Sequence, residues 1–155
     1  MEVFKPVRVE RVYVQHLNAR PESVFPLLCP VREKEWVKGW DPAAVYSESG
    51  YAEKDCVFLT GEKGKEAVWV ITAYDREKFL IEMVKVTPGT TVGKIAIALE
   101  STGENGTKAL VRYMYTALSA EGEAFVRAYS EEFYREFMSY WESALNEYLS
   151  AAQGA

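Results

Sequence analysis

The sequence predicts an α+β fold in which a curved, seven-stranded antiparallel sheet wraps around one long C-terminal helix, with two short helices after the first strand. Three observations carry that prediction. Between Ala43 and Leu118, six segments rich in β-branched and aromatic residues are separated by turn-forming residues, the pattern of consecutive hairpins. Between Ser119 and Ser150 no proline intervenes, and apolar residues recur every three or four positions, as on one face of a helix. At 155 residues the chain can bury roughly 70% of its unfolded surface in one core and has no length for a second, so 1–150 reads as a single domain and 151–155 as a disordered tail.

Each element has a local reason. Val3 to His16 reads as the first strand, with Val7, Val9, Arg11 and Tyr13 alternating against Arg8, Glu10, Val12 and Val14. Pro21 opens a helix at a position where its missing N–H is harmless, Glu22 follows in the first turn, and Pro26 and Pro30 keep that helix short. Val31 to Val37 forms a second brief helix, ended by Gly39 and Asp41-Pro42. The hairpin strands are Ala43 to Ser47, Cys56 to Thr60, Ala67 to Tyr74, Lys78 to Thr87, Val92 to Ser101 and Ala109 to Leu118. Their turns fall at Ser49-Gly50, Gly61 to Gly64, Asp75-Arg76, Pro88-Gly89 and Gly103 to Gly106. Ser119 is then a good N-cap, with Glu121 and Glu123 near the positive end of the helix. The apolar stripe expected to face the sheet is Val126, Tyr129, Phe133, Phe137, Tyr140, Ala144 and Tyr148. At 1.5 Å per residue the helix would run roughly 45 Å, across the whole sheet.

Composition narrows the function classes. A formal charge of -5 without a Lys/Arg cluster gives no footprint for a phosphate backbone, so no nucleic acid is expected as a partner. No apolar run of about 18 residues suggests membrane insertion, and the N-terminus has no basic start followed by an apolar segment; a cytoplasmic protein is expected. In a reducing compartment the two cysteines, Cys29 and Cys56, read as buried thiols rather than a bridge. His16 has no acid or nucleophile near it in sequence and reads as a surface or structural histidine. The many acids of the C-terminal helix lie mostly off the apolar stripe, on a solvated face.

The order of elements resembles the helix-grip fold of the START-like or SRPBCC superfamily, which includes birch-pollen-allergen relatives, lipid-transfer domains and polyketide cyclases. The residues that carry the resemblance are His16-Leu17-Asn18-Ala19-Arg20-Pro21-Glu22-Ser23-Val24-Phe25, the strand segment Tyr113-Met114-Tyr115-Thr116, and the helix after Leu118-Ser119. The stretch from Leu28 to Trp40 is similar to a segment of uncharacterised members. The resemblance covers essentially the whole chain and implies a cavity that receives an apolar or amphipathic ligand. Phosphate, nucleotide and metal motifs are absent, and no cofactor is expected.

The aromatic content, 14% of the chain, falls largely on inward positions. Singly, such residues fill cores; as a set, on a sheet too curved to close tightly on a straight helix, they suggest the lining of a void. The candidate ligand-binding residues are therefore Glu33, Trp36, Trp40, Trp69, Phe79, Ile81, Tyr113, Tyr115, Tyr129 and Phe133. Glu33, Trp36 and Trp40 would share a face if the second short helix continued through Gly39, the indoles forming a lid. Glu33 admits two readings, a partner for Arg32 or another cation, or a polar anchor and general acid/base. Three functions follow. The first is a binding protein for a small hydrophobic or amphipathic molecule; the second is a cyclase- or hydrolase-type enzyme using cavity tyrosines and Glu33; the third is an interaction module, monomeric or homodimeric, without a ligand.

Overall fold

A computed structural model describes residues 1–153. Seven strands form one antiparallel sheet, with β1 (Arg8–Leu17) at one edge, followed by β7 (Thr107–Ala117), β6 (Thr91–Ser101), β5 (Leu80–Thr87), β4 (Ala67–Asp75), β3 (Val57–Thr60) and β2 (Ala44–Tyr46). Strands β2 to β7 are consecutive hairpins, as the turn signals predict, and β1 closes against the last of them. A register shift in β4 between Ile71 and Ala73 marks a bulge, which adds local twist. The inward phase on β1 is odd-numbered, with Gln15 and Leu17 buried, as the alternation from Val7 to Tyr13 requires.

After β1 come α1 (Pro21–Val24), a 3₁₀ turn at Phe25–Leu27 and another at Glu33–Glu35. The first is opened by Pro21 and cut short by Pro26. Phe25 packs on Tyr74 and Phe79 at centroid distances of 5.0 and 5.8 Å, closing that end of the inner face.

The C-terminal segment departs from expectation. Instead of one helix from Ser119 there are two, α2 (Ala120–Ala128) and α3 (Glu131–Gln153). Tyr129, at φ -81° and ψ 70°, leaves the helical region. The break is supported on both sides: Arg11 Nε donates to the Tyr129 carbonyl at 3.1 Å, and the Ser130 hydroxyl accepts from the Phe133 N–H at 3.0 Å. Ser119 caps α2 as expected, accepting from Gly122 N–H. Gly122 is required where it stands, because a Cβ there would meet the Thr90 carbonyl oxygen at 1.9 Å. The interruption resets the helical phase. Val126 and Tyr129 are buried as the stripe predicts, but α3 buries Tyr134, Met138, Trp141, Leu145 and Leu149. Phe133 and Tyr140 are exposed. The expected stripe beyond Tyr129 is therefore off by about one residue, roughly the 100° that one residue contributes to helical rotation. Residues 151–153, expected in a tail, continue α3; Gly154 and Ala155 lie outside the described residues.

Among the described residues no helix is long and apolar enough to cross a membrane. Cys29 and Cys56 are buried and unbridged, and Cys29 Sγ accepts from Ala52 N–H. His16 is exposed on the outer phase of β1; its backbone, rather than its ring, is tied to α3 through Asn146.

Candidate functional site

The inner face of the sheet encloses a cavity of about 360 Å³ against α2, α3 and the Glu33–Trp40 segment. Its floor follows from strand register. One row across the sheet runs Phe58, Trp69, Lys85, Gly93, Tyr115; in the next, Met83, Ile95 and Tyr113 reach the cavity, while Ile71 at the β4 end of that row is fully buried. In the first row Phe58 and Trp69 stack at 5.2 Å and 15°, and Trp69 Nε1 donates to Thr60 Oγ1 at 2.9 Å, which fixes the orientation of the indole. Gly93 leaves the gap in that row. A Cβ there would come within 2.8 Å of the Tyr115 ring, so only glycine lets that ring lean across β6. Tyr115 in turn meets Phe125 and Tyr129 edge-on at 5.0 and 5.1 Å.

The roof comes from the helices. Phe133, Phe137 and Trp141, each one turn apart on α3, line the cavity together with Phe125 of α2. Phe125 is 39% and Phe133 52% exposed, so the two rings stand where the cavity opens to solvent. Trp40 and Val37 close another side, Trp40 being held by an Nε1 bond to the Pro30 carbonyl at 2.7 Å.

Of the ten residues expected to bind a ligand, seven line this cavity: Glu33, Trp40, Trp69, Tyr113, Tyr115, Tyr129 and Phe133. Trp36 does not. The short helix ends at Glu35 and Gly39 turns the chain at φ +80°, so Trp36 and Trp40 do not share a face. Trp36 instead donates to the Leu27 carbonyl and packs edge-on against Trp141 at 5.2 Å. Phe79 lies before the start of β5 with φ +53°, outside the strand alternation that would have turned it into the cavity. It borders a separate surface cleft with Phe25 and Tyr74. Ile81 is on the inward phase but fully buried toward the end closed by Phe25, beyond the cavity.

The residue most clearly missed is Lys85. It follows Ile81 and Met83 in the inward phase of β5, and a cation on such a phase is the signal that marks it. Its ammonium lies 4.7 Å from the centroid of the Trp69 ring, and burial lowers its pKa. Among the described residues it has no carboxylate within salt-bridge distance.

Glu33 is the second charged group. Its carboxyl is enclosed, and desolvation raises its pKa to about 8, so it is mostly protonated at neutral pH. Arg32 is committed elsewhere, to Glu35 at 3.1 Å, which removes the Arg32–Glu33 pairing considered from sequence. Burial, and then the neighbouring tyrosines and Glu33, raise Tyr113 well above its ordinary value; burial pushes Tyr115 up to about 12. All these phenols are neutral donors at pH 7. The Tyr134 hydroxyl is spoken for by the Val111 carbonyl at 2.7 Å, whereas those of Tyr113, Tyr115 and Tyr129 have no hydrogen-bond partner among the described residues. No buried side-chain nitrogen or oxygen among the described residues is both sealed and unpartnered, so these free polar heads open on the cavity.

The architecture matches solved structures over nearly its full length. Norcoclaurine synthase from Thalictrum flavum, solved with dopamine and hydroxybenzaldehyde, superposes with a TM-score of 0.68 at 12% identity, covering 94% of this chain and 88% of the synthase. Ara h 8.0201 gives 0.63 at 10% identity over 92% and 99% of the two chains, and TTHA0849 from Thermus thermophilus gives 0.61 at 16% over 93% and 99%. The chain therefore has the helix-grip fold that these structures share. The sequence itself matches neither a family profile nor a curated relative. Within the helix-grip frame, the site occupies the space between the sheet and the C-terminal helices.

Proposed function

We propose that this protein binds a small apolar or amphipathic molecule in the cavity between the sheet and α2–α3. The observation that carries the reading is an aromatic-walled space of about 360 Å³ lined by several polar side-chain heads that have no hydrogen-bond partner among the described residues. Such a space lies at the small end of ligand pockets, where apolar walls supply affinity and a few polar groups supply orientation. It suits a compact ring system better than an extended lipid chain. The synthase of the same fold, solved with two small aromatic molecules, is consistent with that size class. Trp69, Trp40 and Trp141 all line the cavity, so their fluorescence reports occupancy directly. Titration with a panel of naphthalenes, flavonoids and short-chain fatty acids should give saturable quenching by the ring compounds. A flat response to every member, with no protection against thermal unfolding, would reject the reading.

Glu33 supports a second reading, an enzyme of the cyclase or hydrolase kind. A carboxylic acid with a pKa of about 8 beside a cavity tyrosine can donate a proton to a ligand carbonyl near neutral pH and recover it from the product. Tyr113, neutral and unpartnered, would hold the carbonyl oxygen by a hydrogen bond. On this reading Glu33→Gln abolishes turnover of a cavity ligand while leaving its affinity within a few-fold. An unchanged rate removes Glu33 from the chemistry.

A further inference from the structure

We infer that the cavity selects a planar aromatic acid, its carboxylate seated on the Lys85 ammonium and its ring system against the Phe58–Trp69 stack. The inference rests on the binding reading above and names the ligand class for that site.

Lys85 is placed by its strand rather than by chance of rotamer. It faces Trp69 across β4–β5 and Gly93 across β5–β6, so the ammonium has an indole face on one side and a residue without a side chain on the other. The indole contributes attraction through its π-face at 4.7 Å but accepts none of the three N–H bonds in the ordinary way. No carboxylate among the described residues is within 4.0 Å, and Glu33 does not compensate it. Glu33 instead acts on Tyr113, which stands in the neighbouring row with Ile95 and Met83. The cation and the acid therefore line one cavity without pairing with each other.

Their situations differ in what a ligand could relieve. Glu33 can shed its burial penalty by holding its proton, and as a neutral acid it needs only a hydrogen-bond acceptor. Lys85 keeps a desolvated charge whose missing partner is an anion. A ligand carboxylate would provide the opposite charge and two acceptors at once. Beside it the wall is aromatic, with Trp69 stacked on Phe58 and with Tyr115, Phe125 and Phe133 around the same space, and a planar ring packs among such side chains better than a branched aliphatic group. A carbonyl or hydroxyl at the far end of the same ligand would meet Glu33 and Tyr113.

Calorimetric titration of the full chain at pH 7 with three probes of one shape, 2-naphthoate, neutral 2-acetylnaphthalene and cationic 2-naphthylmethylamine, separates the possibilities. The expected order places naphthoate at least about tenfold tighter than the ketone, as a charge-assisted hydrogen bond in a desolvated site requires, with the amine weakest. Lys85→Met should abolish the preference while leaving ketone binding in place, and Lys85→Arg should retain it. Equal affinity for acid and ketone in the wild type, tighter binding of the amine, or a preference that survives in Lys85→Met overturns the inference while leaving the binding reading intact. Absence of binding by all three probes rejects both.

Discussion

The inner face of the sheet has two ends built from the same strands, and they solve opposite problems. At one end Ile71 and Ile81 are fully buried and Phe25 closes over Tyr74 and Phe79. At the other, two residues back along β4 and four further along β5, Trp69 and Lys85 border open space. Alternation along β5 is uninterrupted from Ile81 to Lys85, and Trp69 and Ile71 of β4 lie on the same face, so the difference is not one of inward phase. It comes from what covers each end. The 3₁₀ turn after α1 drops the Phe25 ring onto the first, whereas over the second the chain breaks at Tyr129-Ser130, and the covering rings of Phe125 and Phe133 stand at a rim instead of filling the interior. A packed end can tolerate no polar group without a partner; a hollow one can hold several, and Lys85, Glu33 and three tyrosine hydroxyls are all at the hollow end.

The largest consequence concerns Glu33. Its folded-state pKa of about 8 lies above the ordinary 4.5, so between those values the folded state binds more protons than the unfolded one. The stability associated with the neutral acid is then complete below pH 4.5 and is lost as pH rises through 8. At about 1.4 kcal/mol per pH unit the ceiling on that loss is about 5 kcal/mol. Glu33→Gln, which stays neutral throughout, should flatten this part of the stability curve and make the protein more stable than wild type at pH 8. Denaturant melts at pH 5 and pH 8 measure both quantities. A wild-type curve with the same pH dependence as the Gln variant would mean that the hollow end admits enough water to ionise Glu33 freely.

Truncation distinguishes the two ends next. Ile81→Ala at the packed end removes well-buried methyl groups with nothing to replace them, and should cost about 2–5 kcal/mol. Met83→Ala, two residues along the same strand at the cavity wall, removes a side chain that already borders a void and should cost about 1 kcal/mol less than a core truncation of its size. Equal losses in equilibrium denaturation would show that both ends are packed alike. Between these in kind is Gly93→Ala, where the new methyl must displace the Tyr115 ring from 2.8 Å; about 1–3 kcal/mol of destabilisation is expected, with a change in the near-ultraviolet tyrosine signal.

These contrasts also explain what could be read from the sequence. The sheet was legible because its turns are written in Gly, Pro and Asp and its strands in period-two alternation, and Ser119 announced the start of α2 through a single hydroxyl. The break at Ser130 carried the same kind of signal, a serine followed by Glu131 and Glu132. It was masked by the apolar spacing from Val126 to Phe137, which continues without a gap in sequence although the backbone does not continue in space. From that break the error in the α3 stripe followed. Within the site, Trp69, Tyr113 and Tyr115 were legible because a strand fixes side-chain direction, whereas Trp36 and Phe79 sit where local backbone conformation, at Gly39 and at Phe79 itself, determines it. Lys85 was hidden by its charge: inward phases are recognised by their apolar residues, and a cation on one of them is the most informative exception.

Phe133 offers the smallest effect on stability and so the finest separation of folding from binding at the hollow end. It was expected on the buried stripe, yet 52% of it is exposed, and its ring rests on Tyr129 at 5.4 Å on the rim. A residue that contributes to a core and one that only shades an opening predict different outcomes for Phe133→Ala. As core, it would cost about 3 kcal/mol or more. At the rim it should change stability by about 0.5 kcal/mol or less, because little of the ring is removed from water in the free protein. A bound ring compound would itself cover part of Phe133, however, so the same substitution should accelerate ligand release and weaken affinity by about threefold, chiefly through the off-rate. Thermal melts of the free protein and stopped-flow release of a bound probe test the two halves separately. An unchanged off-rate with an unchanged melting temperature would move the opening elsewhere, to the side closed by Trp40 and Val37, where Trp40→Ala should then carry the kinetic effect.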